Sequence, residues 1–374
     1  MKILYDHQIF QMQEFGGISK VYCEMIPLLN KYCNCSISVK YSNNQYLHNT
    51  HLVKGIKYLK KYNIPFLSKL SLYQTDFVQR ILYNKNRNKT ISIRSLKKQK
   101  FDVFEPTFFD PYFLDYLNGK PFVLQIHDMI PELFPMYYEK QHPQIINKRI
   151  LSPLAAHIHT PSQKTKDDLV NLLNIDPSKI TVIPHGWSPL PTPNTERPIN
   201  NPYILFIGER NGYKNFSKAL QELALIKQKE PDLHLICTGK DFSIDEMKEI
   251  SLMGLTDSIH HIYASESMLS TMYFYAEAFI YPSAYEGFGL PILEAWSLDC
   301  PVFLNNASCF PEIAGDAAVY FDIEQYGDLA EKMISFLHSS EKDKLTLITK
   351  QSNRLKIYSW DKTAELLYEM YSRI

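Results

Sequence analysis

Short apolar runs alternate along the chain with longer stretches in which apolar residues recur every three or four positions. In the first half, residues 2–5, 36–39, 102–104, 122–126, 158–160 and 181–183 predict buried strands, and 18–29 and 163–173 carry a helical period. In the second half, 203–207, 233–238, 259–262, 278–281 and 301–304 predict strands, and 216–229, 244–252, 267–275 and 290–297 predict helices. A strand covered by helices on both faces reads as a continuous apolar run, not as strict alternation. The βα order therefore predicts an α/β protein with parallel, doubly wound sheets. Residues 360–374 carry an amphipathic helical pattern, with Ala364, Leu366, Leu367 and Met370 on its apolar face.

The alternation breaks once. Pro184, Pro189, Pro191, Pro193, Pro198 and Pro202 crowd the middle of the chain. Proline fixes φ and donates no hydrogen bond, so this stretch can be neither helix nor central strand. It predicts two lobes, 1–185 and 203–359, joined by a linker over 186–202. A chain of 374 residues is long enough for both. Two doubly wound lobes facing across a cleft would bind ligands at the carboxyl ends of their strands.

Composition agrees with folded cores: 45% of residues are apolar and 21% charged. Lys and Arg number 40, as do Asp and Glu, which disfavours a globally basic nucleic-acid binder. The balance is uneven along the chain, however. Residues 51–100 hold thirteen Lys and Arg against one acid, Asp76. Aromatic and aliphatic residues interleave with these cations, among them Tyr58, Tyr62, Phe66, Tyr73 and Phe77. Such a surface is either a solvated face or a dock for anionic lipid headgroups or a lipid diphosphate. The six cysteines include no C-x-x-C pair, which removes zinc-site spacing and suits a reducing compartment. Asp6 interrupts the short apolar start, and no apolar run reaches membrane-span length, so a cytoplasmic protein is expected, with peripheral membrane contact through the basic segment as an option.

Four motifs carry chemistry. The first is Tyr281-Pro282-Ser283-Ala284-Tyr285-Glu286-Gly287-Phe288-Gly289-Leu290-Pro291-Ile292-Leu293-Glu294. It leaves a strand through a glycine turn and enters a helix with proline at the start. Such a turn gathers free N–H groups at the positive helix end, which suits a phosphate. Carboxylates beside a phosphate must bind neutral donors, so Glu286 and Glu294 read as clamps on sugar hydroxyls. The second is Gly208-Glu209-Arg210-Asn211-Gly212-Tyr213-Lys214-Asn215-Phe216. Arg210 and Lys214, a fork and a point charge at a strand end, form a clamp for a leaving diphosphate. No D-x-D pair lies beside it, so metal-independent chemistry is expected. The third is the double glycine Gly16-Gly17 between the first strand and the first helix. The fourth is His127-Asp128 just past a predicted strand.

Glu286 and Glu294 form the E-x7-E signature, and the chain resembles the retaining glycosyltransferases of family 4, with the GT-B fold of two Rossmann-like domains. The continuation Pro301-Val302 … Pro311-Glu312-Ile313-Ala314-Gly315 is similar to that family as well. Thr160-Pro161-Ser162 resembles its "PS" element, and Ile183-Pro184-His185-Gly186 its "PNG" hinge, with His185 in place of asparagine. The resemblance implies that Glu294 binds the nucleotide ribose, that Glu286 contacts the donor sugar, and that the backbone of Phe288, Gly289 and Leu290 holds sugar hydroxyls and the distal phosphate. It implies that Gly16 and Gly17 form a loop closing over the donor phosphate and the acceptor, and that His127 reaches the donor sugar, with Asp128 orienting it or meeting the acceptor. The second lobe would then bind a nucleotide-sugar and the first the acceptor, with helix 360–374 packed back on the first lobe.

The expected activity is transfer of a hexose with retention, needing neither cofactor nor metal. Mannose from GDP-mannose is favoured by resemblance, with UDP-hexoses close behind. The acceptor would be a saccharide or lipid-linked oligosaccharide of a bacterial surface polysaccharide such as O-antigen, capsule or exopolysaccharide. Competing readings are another GT-B enzyme (a nucleotide-sugar 2-epimerase or a sugar phosphorylase) and a non-catalytic sugar-nucleotide-binding protein.

Overall fold

The computed structural model describes residues 1–59, 85–139, 141–210 and 212–374. In the second half of the chain the apolar runs become six parallel strands: Tyr203–Phe206 (β7), His234–Cys237 (β8), Ile259–His261 (β9), Ala278–Tyr281 (β10), Val302–Asn305 (β11) and Val319–Phe321 (β12). Their order is β12-β11-β10-β7-β8-β9. The first strand, β7, sits centrally, and the chain winds away from it in both directions. Every residue of β7, β10 and β11 is buried, which is why their sequences are apolar up to Asn305, the last residue of β11. Alternate residues serve opposite faces. Tyr203, Leu205, Phe279, Tyr281, Val302 and Leu304 pack with Met272, Ile292 and Trp296 on one side. Ile204, Phe206, Ala278, Ile280 and Phe303 pack with Leu220, Leu223, Leu329 and Met333 on the other. The helices responsible are Glu266–Tyr275 and Leu290–Trp296 on the first face, and Phe216–Lys227 and Asp328–Leu337 on the second.

In the first half, Lys2–Tyr5 (β1), Asn34–Ile37 (β2) and Val103–Glu105 (β3) form a parallel sheet of order β2-β1-β3. Val123–Gln125 (β4), His157–Thr160 (β5) and Ile180–Val182 (β6) form another of order β4-β5-β6. One parallel bridge, Phe104 to Phe122, joins them. Trp360–Tyr371 is helical and packs against the helix Gly17–Leu29. The Tyr5 and Tyr371 hydroxyls meet at 3.1 Å, and Thr363 Oγ1 donates to the Pro184 carbonyl at 2.7 Å.

Two compact units result: residues 1–161, 165–185 and 360–374, and residues 162–164 and 186–359. No helix or strand occurs in 184–202. Among the described residues no helix is long and apolar enough to cross a membrane. Three local expectations need correction. The strand expected at 36–39 is Asn34–Ile37, an edge strand whose residues are only partly covered. A short helix, Gln8–Met12, separates β1 from the double glycine, so the glycines do not follow the strand directly. The third concerns β12, which sequence reading omitted. Two of its three residues are only partly buried, so it lacks the apolar run that marks the other strands.

Candidate active site

In the second unit β7 and β10 are hydrogen-bonded neighbours, yet their crossovers run to opposite sides of the sheet. The crevice outside their carboxyl ends is a topological switch point, where doubly wound sheets bind ligands. The Gly208–Phe216 segment leaves β7 there and the Pro282–Leu290 segment leaves β10. Backbone and side chains lace the two together. Ala284 N donates to the Tyr213 carbonyl at 2.8 Å, and Asn215 Nδ2 donates to the Pro282 carbonyl at 2.9 Å. Asn215 does this from a left-handed conformation (φ 54°), which its short polar side chain tolerates.

At the meeting point the Lys214 ammonium is paired with the Glu286 carboxylate. Their side chains are 14% and 11% exposed, so the pair is sheltered but reachable. The Tyr281 hydroxyl also hydrogen-bonds this carboxylate. Burial first, and the Glu286 charge second, push its phenol far above the ordinary value. Lys214 Nζ lies 5.6 Å from the Tyr281 ring centroid and 5.3 Å from that of Tyr213, an aromatic seat for a cation. The backbone of Glu286 is clamped by Ser308, whose Oγ donates to the Glu286 carbonyl at 2.8 Å and accepts from its N–H at 3.1 Å. Tyr281, Ser308 and Asn215 are participants that sequence reasoning missed. Tyr281 and Asn215 had a signal, since Tyr281 opens the first motif and Asn215 adjoins Lys214 in the second.

Beyond Glu286 the chain turns at Gly289, whose φ of +99° favours glycine and whose Cβ would lie 2.9 Å from Ile292 Cδ1. Leu290 and Pro291 open the helix Leu290–Trp296. The Phe288 side chain is buried, and its carbonyl accepts from the Cys309 thiol at 3.4 Å. Glu294 lies half-buried on this helix, with the buried Tyr273 hydroxyl 3.5 Å from its carboxylate.

Arg210 departs from expectation. Its side chain is 4% exposed, and its fork is occupied within its own unit. Nε donates to Glu246 at 2.8 Å, and the two terminal nitrogens donate to the carbonyls of Thr238, Lys240 and Asp241 at 2.9, 2.6 and 2.9 Å. The guanidinium also stands 4.7 Å from the Phe242 ring centroid. Burial opposes charge on Glu246, but hydrogen bonds from Arg210 and Ser243 hold its carboxyl below the usual range. Arg210 thus braces the loop after β8 and is not an open diphosphate fork. Lys214 is the cation that the crevice presents. The same loop explains Gly239: its φ is +93°, and a Cβ there would sit 2.5 Å from the Gly208 carbonyl oxygen.

The remaining candidates lie in the first unit. His127 follows β4. Its Nε2 is buried and has no hydrogen-bond partner among the described residues. Burial, then the neighbouring His185, His159 and Lys148 charges, hold its pKa well below the ordinary value, so the ring is neutral at pH 7. The Tyr22 ring meets it edge-on at 6.2 Å, and His185 lies at 6.1 Å. Asp128 does not orient it. That carboxylate accepts the Ile130 N–H at 3.0 Å, in its own turn, and the Asp128 carbonyl accepts from the buried Lys148 at 2.9 Å. Gly16 is extended and leaves room for the Gln13 carboxamide, whose Oε1 accepts the Ser19 N–H at 3.0 Å and so caps the helix Gly17–Leu29. A Cβ on Gly17 would meet nothing within 4 Å.

Comparison with known proteins matches both halves. Residues 193–352 match the model "Glycosyl transferases group 1", and 76–189 match "Glycosyltransferase Family 4". The O-antigen chain mannosyltransferase B of Escherichia coli is 29% identical over 58% of this chain and 60% of its own length. The O-antigen chain mannosyltransferase RfbU of Salmonella typhimurium is 25% identical over 54% of this chain and 61% of its own. The match thus spans about three fifths of these relatives. Among solved structures, Anabaena Alr3699/HepE in complex with UDP and glucose superposes with a TM-score of 0.72 at 14% identity, covering 100% of this chain and 99% of that one. Sucrose-phosphate synthase from Thermosynechococcus elongatus gives 0.71 at 13% identity, covering 100% and 98%. The paired Rossmann-like sheets, the E-x7-E turn at the switch point and the two family matches together place this chain among the family 4 glycosyltransferases, with the GT-B fold.

Proposed function

We propose that the chain transfers a hexose, with retention of configuration, from a nucleotide-sugar to a saccharide or lipid-linked acceptor of a surface polysaccharide. The observation that carries this reading is the Lys214–Glu286 pair at the switch point of the second unit. A nucleoside diphosphate leaving from this crevice gathers negative charge, which the Lys214 ammonium is positioned to take up. Glu286 then faces the sugar, where its carboxylate supports positive charge on the reacting carbon, and Glu294 takes the ribose hydroxyls. The bond from the sugar carbon to the diphosphate oxygen breaks as the bond to the acceptor oxygen forms on the same face. The acceptor proton passes to the departing diphosphate. With Lys214 supplying the counter-charge, the reaction needs no metal, and full activity in excess chelator is expected. The neutral His127, with a buried Nε2 that lacks a partner, suits a hydrogen bond to a sugar hydroxyl and not a charge-bearing role. Arg210 acts by holding the loop after β8.

Mannose is the favoured sugar, because the two curated relatives above are named mannosyltransferases. A UDP-hexose is the second reading, favoured by the UDP and glucose bound in the Anabaena structure. The test is a thermal-shift and hydrolysis panel over GDP-mannose, UDP-glucose, UDP-galactose and UDP-N-acetylglucosamine, with Glu294→Ala as control. One donor should raise the melting temperature of the wild type and fail to do so for the variant. If no nucleotide-sugar stabilises the wild type, the reading is wrong.

A further inference from the structure

The cation excess of residues 51–100 is not used by the site above. Part of that segment, 60–84, lies outside the described residues. The helix Lys85–Lys97 within it is described, and its two sides differ sharply. The inner side is Asn88, Ser92 and Leu96, all fully buried. Asn88 ties the helix to the chain after β2: its Oδ1 accepts the N–H groups of Lys40 and Tyr41 at 3.2 and 3.1 Å, and its Nδ2 donates to the Tyr41 carbonyl at 2.6 Å. The outer side, together with Lys40 and Tyr41, lines a groove of about 630 Å³. Four cations line it, Lys40, Arg87, Arg94 and Lys98, interspersed with the hydroxyls of Thr90 and Ser95.

No carboxylate is among the described residues that line this groove, and none of its four cations has an ion-pair partner among them. The contrast is Lys89 on the same helix, outside the groove lining, which is neutralised by Asp110 at 3.2 Å. Lys57 adds a further exposed cation beside Tyr41, to which its backbone is bridged. The Tyr41 phenol registers the field: its hydrogen bond to Arg87 comes first, and the charges of Arg87, Lys40 and Lys57 follow, so its pKa lies below the ordinary value. A concave surface whose described lining holds several cations and no acid repels itself until an anion enters. Guanidinium forks with adjacent hydroxyls match phosphoryl oxygens in geometry. Arg87 and Lys98 are eleven positions apart, about 16 Å along the axis at 1.5 Å per helical residue, so the row of cations has room for more than one phosphoryl group.

We propose that the groove formed by Lys40, Tyr41, Arg87, Arg94 and Lys98 is a binding site for phosphate esters, engaging two or more phosphoryl groups at once. The ligand is either the headgroups of an anionic bilayer or a soluble diphosphate. The site shares no residue with the nucleotide-sugar crevice and stands whether or not that crevice transfers sugar.

The experiment measures binding of the full chain to vesicles of phosphatidylcholine containing phosphatidylglycerol, and separately to inorganic pyrophosphate. It compares the wild type with Arg87→Gln/Arg94→Gln and with Lys89→Gln. All changed positions are at least partly exposed, and thermal melts confirm that each variant is folded. At about fivefold per cation near a phosphate surface, the double variant should bind about thirty times more weakly, and K89Q within twofold of wild type. Vesicle binding with this pattern supports the site and assigns it to a membrane. Saturable pyrophosphate binding with this pattern, without vesicle binding, supports it and assigns it to a soluble diphosphate. Two results overturn the proposal: neither probe binds the wild type, or K89Q loses as much as the double variant, which would reduce the effect to net charge.

Discussion

The sharpest test of the crevice separates its two charges. In Lys214→Met the cation is removed and Glu286 keeps its charge. In Glu286→Gln the carboxylate is neutralised and the cation is released. Two unit charges in contact at about 4 Å interact by about 4 kcal/mol at an effective dielectric constant near 20. Both side chains are a little over one-tenth exposed, so screening brings the usable part to about 1–2 kcal/mol. If Lys214 receives the leaving diphosphate, K214M should weaken nucleoside diphosphate binding about tenfold or more and lower turnover by about 10²–10³, the usual effect of deleting one preorganised charge donor. E286Q should move the two readouts in opposite directions. Transfer should fall by a similar factor, but nucleoside diphosphate binding should tighten by about five- to thirtyfold, because Lys214 no longer has a competing carboxylate. Calorimetric titration with the diphosphate of the accepted donor, beside initial rates, reads both. If E286Q weakens diphosphate binding as much as K214M does, the pair is a structural strut and the assigned roles are wrong.

Further outcomes follow from the surroundings. Arg210→Lys keeps the charge but cannot reproduce bonds to Glu246 and three carbonyls, so it should cost about 3 kcal/mol and lower the melting temperature by several degrees, with diphosphate affinity less affected than in K214M. Gly239→Ala should destabilise by about 2 kcal/mol or more in denaturant unfolding, because it combines a positive φ with a Cβ pressed on the Gly208 carbonyl. Burial, then the His159 charge, lower the His185 pKa to about 3. The unfolded chain therefore binds the extra proton between pH 6.5 and 3, so this stability is complete above pH 6.5 and drains as pH falls. The drain should reach about 3 kcal/mol by pH 4, and chemical denaturation of His185→Asn should show a flatter pH dependence over that window.

What could be read from the sequence depended on how local the cause was. Strands β7, β10 and β11 were legible because burial on both faces leaves a continuous apolar run, broken only by Asn305 at the end of β11. The helix Glu341–Leu355 was not legible, since Gln351 and Leu355 are its only buried residues and its polar surface gives no stripe. The turn from Tyr281 to Glu294 could be read because one continuous segment carries glycine, proline and both carboxylates. Arg210 shows where this fails. From Gly208 to Phe216 it looks like the partner of Lys214, four positions away on the same loop. Its engagement is decided by carbonyls at 238, 240 and 241 and by Glu246, which the βα crossover brings alongside. Carbonyl acceptors have no side-chain signature, so a fork filled by them is invisible in the sequence, whereas a cation facing a carboxylate such as Glu286 has a partner that can be named. The same reasoning divides the basic segment: Lys89 and Arg87 are both cations, two positions apart, and only the fold sends one to Asp110 and the other into a groove with no acid among its described lining residues. Charge counts along a chain locate an electrostatic function only after the neutralised members are subtracted, and that subtraction requires the tertiary structure.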